Sequence, residues 1–333
     1  MPRHICPIPR RSLLLGALAL PALARAAASP TVAALFAGRI DDGGFMQAGF
    51  QGLTSARERL GVRISLTQGI RPEAPLLAAA LRELATAGPD LVVAHGGQNN
   101  AAAAEVAAAF PGLRFVVTQG QVTGTNLSSY EVLQEHSAFL AGVLAALTTR
   151  TGVVGHMSGI RVTPGLKGRA AYAHGVRHGN PAVRLLTNFS GNQDDNALSN
   201  RNALAMMAAG ADVVFTMLNA GRDGVTEACR SQGRWQIGNV RDWVAVDPAV
   251  FLGSAVADSG LALFNAVRDV AEDRFVPGTI RQIGLEQPDA VRLTLAPQVP
   301  PAIRARLDAV AAEIVAKRLE VPTEWSGKEF PNA

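Results

Sequence analysis

The sequence has 333 residues, of which 48% are hydrophobic and 17% are charged, and its formal net charge is +4. A chain of this length and apolar content can bury a sizeable core, which excludes a disordered protein. Four arginines account for the excess of positive charge, and all lie within the first 28 residues: Arg3, Arg10, Arg11 and Arg25. The remainder is close to neutral and holds no run of basic residues interleaved with aromatic ones. We therefore predict no nucleic-acid partner.

Residues 1–28 have the three parts of an export signal. A basic stretch at 1–11 is followed by an apolar run at 13–23 and by small residues with A-x-A cleavage sites at 24–26 and 26–28. The apolar run is about half as long as the roughly 20 residues that span a bilayer. We therefore predict a cleaved signal and a periplasmic protein. Arg10-Arg11 resembles a twin-arginine signal, but ordinary secretory signals also carry paired arginines, so both routes stay open.

The two cysteines predict neither a lipid anchor nor a disulfide. Cys6 precedes the apolar run, whereas a lipoprotein cysteine would follow it. Cleavage would leave Cys229 alone in the mature chain, which we expect to be a monomer.

From residue 31 onward, short apolar runs alternate with segments of helical periodicity. In the first block we predict strands at 32–37, 62–67, 91–94 and 114–118, and helices at 46–60, 72–85 and 99–110. The pattern restarts with a helix at 136–147, followed by strands at 153–156, 183–187, 212–216 and 235–238 and helices at 165–177, 197–209 and 221–232. The last part predicts β segments at 251–256, 280–285 and 291–295 and helices at 259–272 and 302–318. This alternation predicts an α/β fold with two parallel sheets, each covered on both faces.

Motifs of catalysis and cofactor binding do not occur in the sequence. It has no Walker loop, no G-x-G-x-x-G after a strand, no H-E-x-x-H and no C-x-x-C. His95-Gly96-Gly97 resembles the oxyanion strip of lipases, but no G-x-S-x-G elbow accompanies it. Asp194-Asp195 fits the cap of a following helix, and the histidines at 136, 156, 174 and 178 lack metal-ligand spacing. We predict no enzyme, no metal and no cofactor.

Polar residues and aromatic rings gather where the predicted strands end, which is where open parallel sheets bind ligands. The segments are 38–45, 95–99, 119–121, 158–159, 188–190, 219–221 and 239–243. They offer amides, helix N-termini and stacking rings, which recognise a small molecule without transforming it. The sequence therefore predicts a binding cleft between two lobes.

Five segments resemble the basic-membrane-protein (BMP) family of ABC-transporter substrate-binding proteins, which includes purine nucleoside receptors of spirochaetes. Residues 41–47 are similar to its D-x-G-F-N opening. Residues 136–155 are similar to its F-L-A-G-x-L-A-A helix and the G-x-V-G strand that follows. Residues 188–195 are similar to its S-F-x-D segment, and residues 210–221 and 237–242 resemble two further stretches. The resemblance extends over the whole chain from residue 31 to the last helix.

The resemblance implies a type I periplasmic binding protein fold, in which two Rossmann-like lobes are joined by three crossovers. These would lie near Ser128, Asp247 and Gly278. Lobe I would comprise residues 31–128 and 251–278, and lobe II residues 129–250 and 279–320, with a C-terminal tail at 321–333.

The resemblance also implies a site in which a purine-like ring stacks between Phe45 and Phe189. Amides and acids from the loops would read the edge of the ring. The expected ligand-binding residues are Asp41, Phe45, Gln47, Gly96, Gln119, Phe189, Asn219, Gly221 and Asp242.

Three departures from the family pattern bear on the ligand. Met46 replaces the asparagine after the stacking ring, Gln119 replaces an acid, and residues 253–257 lack the lysine that helps to hold a ribose. A free nucleobase, or another small flat heterocycle, is therefore as consistent with the sequence as a nucleoside. The expected partners are the permease and ATPase of an importer. The alternative is an exported receptor that signals the presence of another small polar metabolite.

Overall fold

The computed structural model describes residues 1–2 and 29–333 of the chain. The predicted export signal thus lies outside the described residues, apart from its first two. The strands are β1 (Thr31–Phe36), β2 (Arg63–Thr67), β3 (Leu91–His95), β4 (Arg114–Thr118), β5 (Leu127–Val132), β6 (Val153–Ser158), β7 (Arg184–Phe189), β8 (Val213–Met217), β9 (Trp235–Val240), β10 (Phe251–Ala257), β11 (Ile280–Ile283) and β12 (Val291–Leu295). The helices are α1 (Phe45–Leu60), α2 (Ala74–Thr86), α3 (Asn100–Ala109), α4 (Gln134–Thr148), α5 (Thr163–Gly179), α6 (Asn196–Ala208), α7 (Arg222–Gln232), α8 (Ser259–Ala271) and α9 (Pro301–Val315).

The strands form two six-stranded sheets, as the alternating pattern predicts. The first has the order β11-β5-β4-β3-β1-β2, and the second the order β12-β10-β9-β8-β6-β7. All pairings are parallel except that of β12 with β10. The central strands are apolar because helices cover both faces: β3, for example, is buried at each of its five residues. The predicted α/β fold is confirmed.

Each sheet has its own apolar core, so the molecule has two lobes. Lobe I consists of the first sheet with α1, α2, α3 and α8, and lobe II of the second sheet with the other helices. Among residues 29–333, none of the helices combines the length and apolarity that crossing a bilayer requires.

Two segments lie in the opposite sheet from the one expected. The segment 251–257, expected in lobe I, is β10 and pairs with β9 in the second sheet. The segment 280–283, expected in lobe II, is β11 and pairs with β5 in the first sheet. A short apolar strand satisfies its hydrogen bonds equally well in either sheet, so its composition does not decide the choice.

The chain passes between the sheets three times, but at other residues than expected. Ser128 lies inside β5, and the first passage follows Val132. The second passage is at Asp258, between β10 and α8, and not near residue 247. The third joins β11 to β12 through residues 284–290, beyond Gly278. The strands that flank these connections lie at one end of each sheet: β11 and β5 in the first, β12 and β10 in the second.

Helices α4 and α5 cross at contact distance in lobe II because glycines line the crossing. A Cβ placed on Gly142 would lie 2.2 Å from the carbonyl oxygen of Tyr172, and one on Gly175 would lie 2.1 Å from that of Phe139. A carbon and an oxygen that are not bonded cannot lie this close, so a Cβ at either position would have to displace the backbone of the other helix. The two helices thus depend on the absence of side chains at these positions.

Gly175→Ala is therefore expected to lower the free energy of unfolding by about 1–3 kcal/mol, since the new methyl group must push the helices apart. The midpoint of a urea titration measures the loss. Gly112→Ala is the matched control, because a Cβ at Gly112 has no neighbour within 4 Å. Equal losses in the two variants would contradict this account of the crossing.

Candidate ligand-binding site

A cavity of about 60 Å³ lies between the lobes, at the carboxyl ends of both sheets. This is the edge at which ligands bind to open parallel sheets. It is lined by Phe45, Met46, Gly97, Gln98, Gln134, Ser158, Gly159, Ile160, Val162, Pro164, Gly165, Gln193, Met217, Asn219, Asn239 and Val240. We call this set the cleft lining.

The cleft lining is neutral. Its polar members are five amides and one hydroxyl, and the rest are apolar side chains and glycines. An amide offers both donors and an acceptor, so this wall can match a ligand edge of mixed polarity. A charged ligand would lose its hydration here without a counter-ion, which is costly.

Phe45 enters the cleft from the first residue of α1 and rests on a buried histidine. Its ring stacks on that of His95, with centroids 4.3 Å apart and planes inclined by 20°. His95 Nε2 lies 3.0 Å from the carbonyl oxygen of Phe45, and its Nδ1 lies 2.7 Å from Thr118 Oγ1. Because the carbonyl only accepts, Nε2 carries the proton and Nδ1 accepts from the threonine. His95 thus fixes both the ring and the backbone of Phe45.

Burial keeps His95 neutral. It is fully buried, and desolvation lowers its pKa from 6.5 to about 4, although the hydrogen bond to Phe45 opposes the shift. The same cause lowers the pKa of His156, in lobe II, to about 3. Both rings therefore act as neutral hydrogen-bonding groups near pH 7.

The start of α1 is set by Asp42 and not by Asp41. The carboxylate of Asp42 is buried and accepts hydrogen bonds from the N–H groups of Gly44 (2.8 Å), Met46 (3.1 Å) and Gln47 (3.0 Å). These donors have no partner within a helix, so the carboxylate both caps α1 and complements its dipole. Asp41 instead points outward and pairs with Arg39.

The lobes touch across the cleft at its polar loops. Asn219 Oδ1 of lobe II accepts a hydrogen bond of 3.3 Å from the N–H of Phe45. Beside it, Arg222 Nη1 donates to the carbonyl of Gly43 at 3.2 Å. A Cβ on Gly44 would lie 2.9 Å from Asn219 Oδ1, so only glycine permits this approach. The lobes are thus closed on each other.

Of the predicted ligand-binding residues, Phe45 and Asn219 belong to the cleft lining. Gln47 supports α1, because its Oε1 accepts from the N–H of Gly43. Gly96, with φ +107°, and Gly221, whose N–H donates to Gln193, shape the backbone behind the lining. These residues are brought together at one site, but only two of them face the cavity.

Three more of the predicted residues, Gln119, Asp242 and Phe189, also lie outside the cleft lining, and each is held by other partners. The amide of Gln119 binds the N–H and carbonyl of Val132 and so ties β4 to β5. The Asp242 carboxylate closes a turn, accepting from the N–H of Ala245 and from Thr294. Phe189 is buried at the end of β7 beneath two guanidinium groups, described below.

Four amides of the cleft lining were not singled out from the sequence: Gln98, Gln134, Gln193 and Asn239. Gln98 and Asn239 fall in the polar segments that follow strands, and that position was their signal. Gln134 follows β5, the strand that the sequence pattern did not reveal. Val240 adds a strained backbone, since its φ of +65° is rare for a β-branched residue.

Two α/β lobes that close over a neutral cleft form the architecture of a solute-binding protein. Comparison with protein families agrees. The model of the Bmp family, described as ABC transporter substrate-binding protein PnrA-like, matches residues 29–324. The chain belongs to this family, whose members are substrate-binding proteins and not enzymes.

Relatives and a solved structure match along most of the chain. Transcriptional activator protein med of Bacillus subtilis is 23% identical over 249 residues, 75% of this chain and 76% of the relative. Basic membrane protein A2 of Borrelia garinii is 21% identical over 300 residues, 88% of either chain. A solute-binding protein of an ABC transporter from Aeropyrum pernix shares the fold, with a TM-score of 0.78 and 20% identity over 89% of this chain and 94% of that chain. The periplasmic binding protein fold expected from the sequence is confirmed.

The free protein is expected to lose stability as the pH falls from about 6.5 to about 4. In this window the unfolded chain protonates at His95, whereas the folded protein keeps the ring neutral until about pH 4. Stability therefore rises with pH across the window, by on the order of 3 kcal/mol for this ring. Urea unfolding at several pH values measures the slope. His95→Asn and His156→Asn should each flatten it, and a slope unchanged in both variants would contradict the assignment.

Proposed function

We propose that this chain is the periplasmic substrate-binding protein of an ABC importer, and that its cleft takes a small, neutral, flat heterocycle such as a purine nucleobase or nucleoside. The observation that carries the proposal is that the cleft lining combines one aromatic side chain, Phe45 stacked on His95, with five neutral amides. The ABC-transporter family of the chain supports the transport role. The N-terminal sequence supports export.

The stack of Phe45 on His95 supports a flat ligand. One face of the phenyl ring is covered by the imidazole, and Phe45 belongs to the cleft lining. A planar heterocycle on the exposed part of the ring would extend the stack without requiring Phe45 to change its rotamer. A non-planar sugar would leave part of this surface uncovered.

The amides support a ligand with donors and acceptors on its edge. Gln134 Nε2 is buried in the cleft wall and has no hydrogen-bond partner among the described residues. Leaving a buried donor unpaired costs about 1–3 kcal/mol. A ring nitrogen or carbonyl oxygen of the ligand would satisfy this donor.

The absence of charged side chains from the cleft lining, within the described part of the chain, narrows the ligand class. Zwitterionic amino acids and nucleotides would each bring an unpaired charge into the cleft. We therefore expect bases and nucleosides to bind, and their phosphorylated forms to be rejected.

Phe45→Ala is expected to weaken the binding of a base or nucleoside by about 1–3 kcal/mol, the usual value of a base stacked on an aromatic ring. Thermal shifts of residues 29–333 against bases, nucleosides, nucleotides, sugars and amino acids identify the ligand. Isothermal titration then gives the affinities.

Phe110→Ala is the matched control, since this half-buried ring lies at the end of α3 in the same lobe and outside the cleft lining. It should leave the affinity unchanged. A shift from a sugar or amino acid alone, with none from any base or nucleoside, would refute the heterocycle assignment.

A second candidate is a receptor that reports a small polar metabolite without transporting it. The similarity to a relative named as a transcriptional activator favours it. Uptake of the radiolabelled ligand by cells with and without the gene separates the two roles. Loss of uptake in the deletion strain is expected for the importer, and unchanged uptake with intact binding would favour the receptor.

A further inference from the structure

The last thirteen residues, 321–333, form a segment that we call the C-terminal strap. It follows α9 without regular secondary structure and folds back across lobe II. The family model ends at residue 324, so most of the strap lies beyond the matched part of the chain. Its contacts are therefore features of this chain to be explained from its own residues.

The end of the strap runs along β7, an edge strand of the second sheet. The N–H of Phe330 donates to the carbonyl of Thr187 at 2.7 Å, and Asn332 Nδ2 donates to that of Phe189 at 3.0 Å. The N–H of Ala333 donates to Asn202 Oδ1 at 2.7 Å. These bonds fasten the strap to lobe II.

One residue of the strap reaches two arginines that lie outside the cleft lining. Glu329 pairs with Arg161 through one carboxylate oxygen and with Arg169 through the other. Trp325, also in the strap, lies 4.5 Å from the Arg169 guanidinium. The two guanidinium groups lie 4.6 Å and 4.8 Å from the ring centroid of Phe189. Glu329, the arginines and Phe189 thus form one cluster.

Arg161 belongs to residues 158–165, which comprise the last residue of β6, the connection that follows it and the first turn of α5, and which we call the β6–α5 loop. This segment contributes more of the cleft lining than any other among the described residues. Its contributions are Ser158, Gly159, Ile160, Val162, Pro164 and Gly165. Arg169 anchors the helix that follows the loop, and its side chain is only 7% exposed. The carboxylate of Glu329 therefore holds the loop at two points: through Arg161 in the loop itself and through Arg169 in the helix that follows.

We propose that Glu329 is a positioning residue of the ligand site: through Arg161 and Arg169, the C-terminal strap holds the β6–α5 loop in its binding conformation. The inference rests on the proposed function of the cleft. A strap that only covered the edge of β7 would need the bonds of Phe330 and Asn332, but not a carboxylate shared by two arginines. Phe189, which the two guanidinium groups cover, does not belong to the cleft lining, so Phe45 is the aromatic ring of the lining.

The charge state of Glu329 fits this role. Burial alone would raise its pKa, but the hydrogen bonds and charges of Arg161 and Arg169 outweigh burial and lower the pKa below its ordinary value. The carboxylate is thus ionised throughout the neutral range, and its removal leaves Arg169 as a buried charge without this partner.

The test compares Glu329→Gln with Asn332→Ala in the protein from residue 29 to 333. Glu329→Gln keeps the size of the side chain and removes its charge. It should lower the affinity for the base or nucleoside that gives the thermal shift roughly tenfold, as expected for members of one ion-pair network. Asn332→Ala removes a bond to β7 and should leave the affinity unchanged. Arg161→Gln should reproduce the effect of Glu329→Gln, and the double variant should not add the two losses.

Hydrogen exchange separates this inference from the proposed function. In Glu329→Gln the amides of 159–163 should exchange faster, while those of β7 keep their protection, whether or not a ligand has been found. Glu329→Asp should restore part of the protection. If the loop amides of Glu329→Gln exchange at the same rate as those of the wild type, the inference is overturned. Equal losses of affinity and of melting temperature in Glu329→Gln and Asn332→Ala would also overturn it.

Discussion

The buried carboxylate of Asp42 fixes the start of α1, from which lobe I presents Phe45 and Met46 to the cleft. It accepts hydrogen bonds from three free N–H groups there, and the helix begins at Phe45. The side chain and backbone of Phe45 are then placed against His95, and its remaining N–H is turned toward lobe II. Without this cap, the donors would need water or a rearranged first turn, and the ring would lose its support. One acid of the β1–α1 loop thus sets the geometry of both the ligand wall and the contact between the lobes.

The two lobes support their cleft walls by different means. In lobe I a neutral histidine stands directly behind the aromatic ring, so the wall is rigid through stacking and two hydrogen bonds. In lobe II the buried histidine, His156, bonds to Thr187 and Ser158 and packs against the rings of Tyr172 and Phe215. The largest part of the wall of lobe II is the β6–α5 loop, and a loop needs contacts from outside if it is to keep its shape. The ion pairs of the C-terminal strap provide that fastening where lobe I uses its core.

The fold was predictable because its strands and helices carry their own signals, and the exceptions show the limit. The strand β5 was missed because its sequence, Leu-Ser-Ser-Tyr-Glu-Val, is half polar although every residue is buried. Its polar groups have partners far along the chain: Ser128 donates to the carbonyl of Val276, and Tyr130 to Asp269. Burial that depends on such partners leaves no local pattern.

The candidate site was predictable at the level of loops and less so at the level of side chains. The carboxyl ends of parallel strands must meet, which places the polar segments together, and Phe45 and Asn219 line the cleft. Which side chain of a segment turns inward depends on backbone geometry, such as the positive φ of Gln119. Asp42 could have been identified, because it lies three residues before Phe45 in the D-x-G-F spacing, whereas Asp41 does not. The contact of Phe189 with two arginines that pair with Glu329 could not have been identified, because these residues lie far apart in the sequence.

The contacts between the lobes lead us to expect that a ligand favours closure. Beside the first connection between the lobes, Lys167 of lobe II lies between Glu131 of β5 and Glu135, at 2.7 Å and 2.5 Å, and all three side chains are largely buried. Burial lowers the pKa of Lys167, but the two carboxylates outweigh it and raise the pKa, so the lysine stays charged. The cost of removing these charges from water cancels much of the free energy gained by pairing them. The group therefore fixes the relative position of the lobes more than it stabilises their contact. At the cleft itself the hydrogen bonds between the lobes, among the described residues, are one of 3.3 Å from the N–H of Phe45 to Asn219 and one of 3.2 Å from Arg222 to the carbonyl of Gly43. Because only these two hydrogen bonds join the lobes at the cleft in the part of the chain that the structure describes, we expect the open and closed forms to be close in free energy. A ligand that touches both walls would then shift the equilibrium by its differential affinity for the closed form.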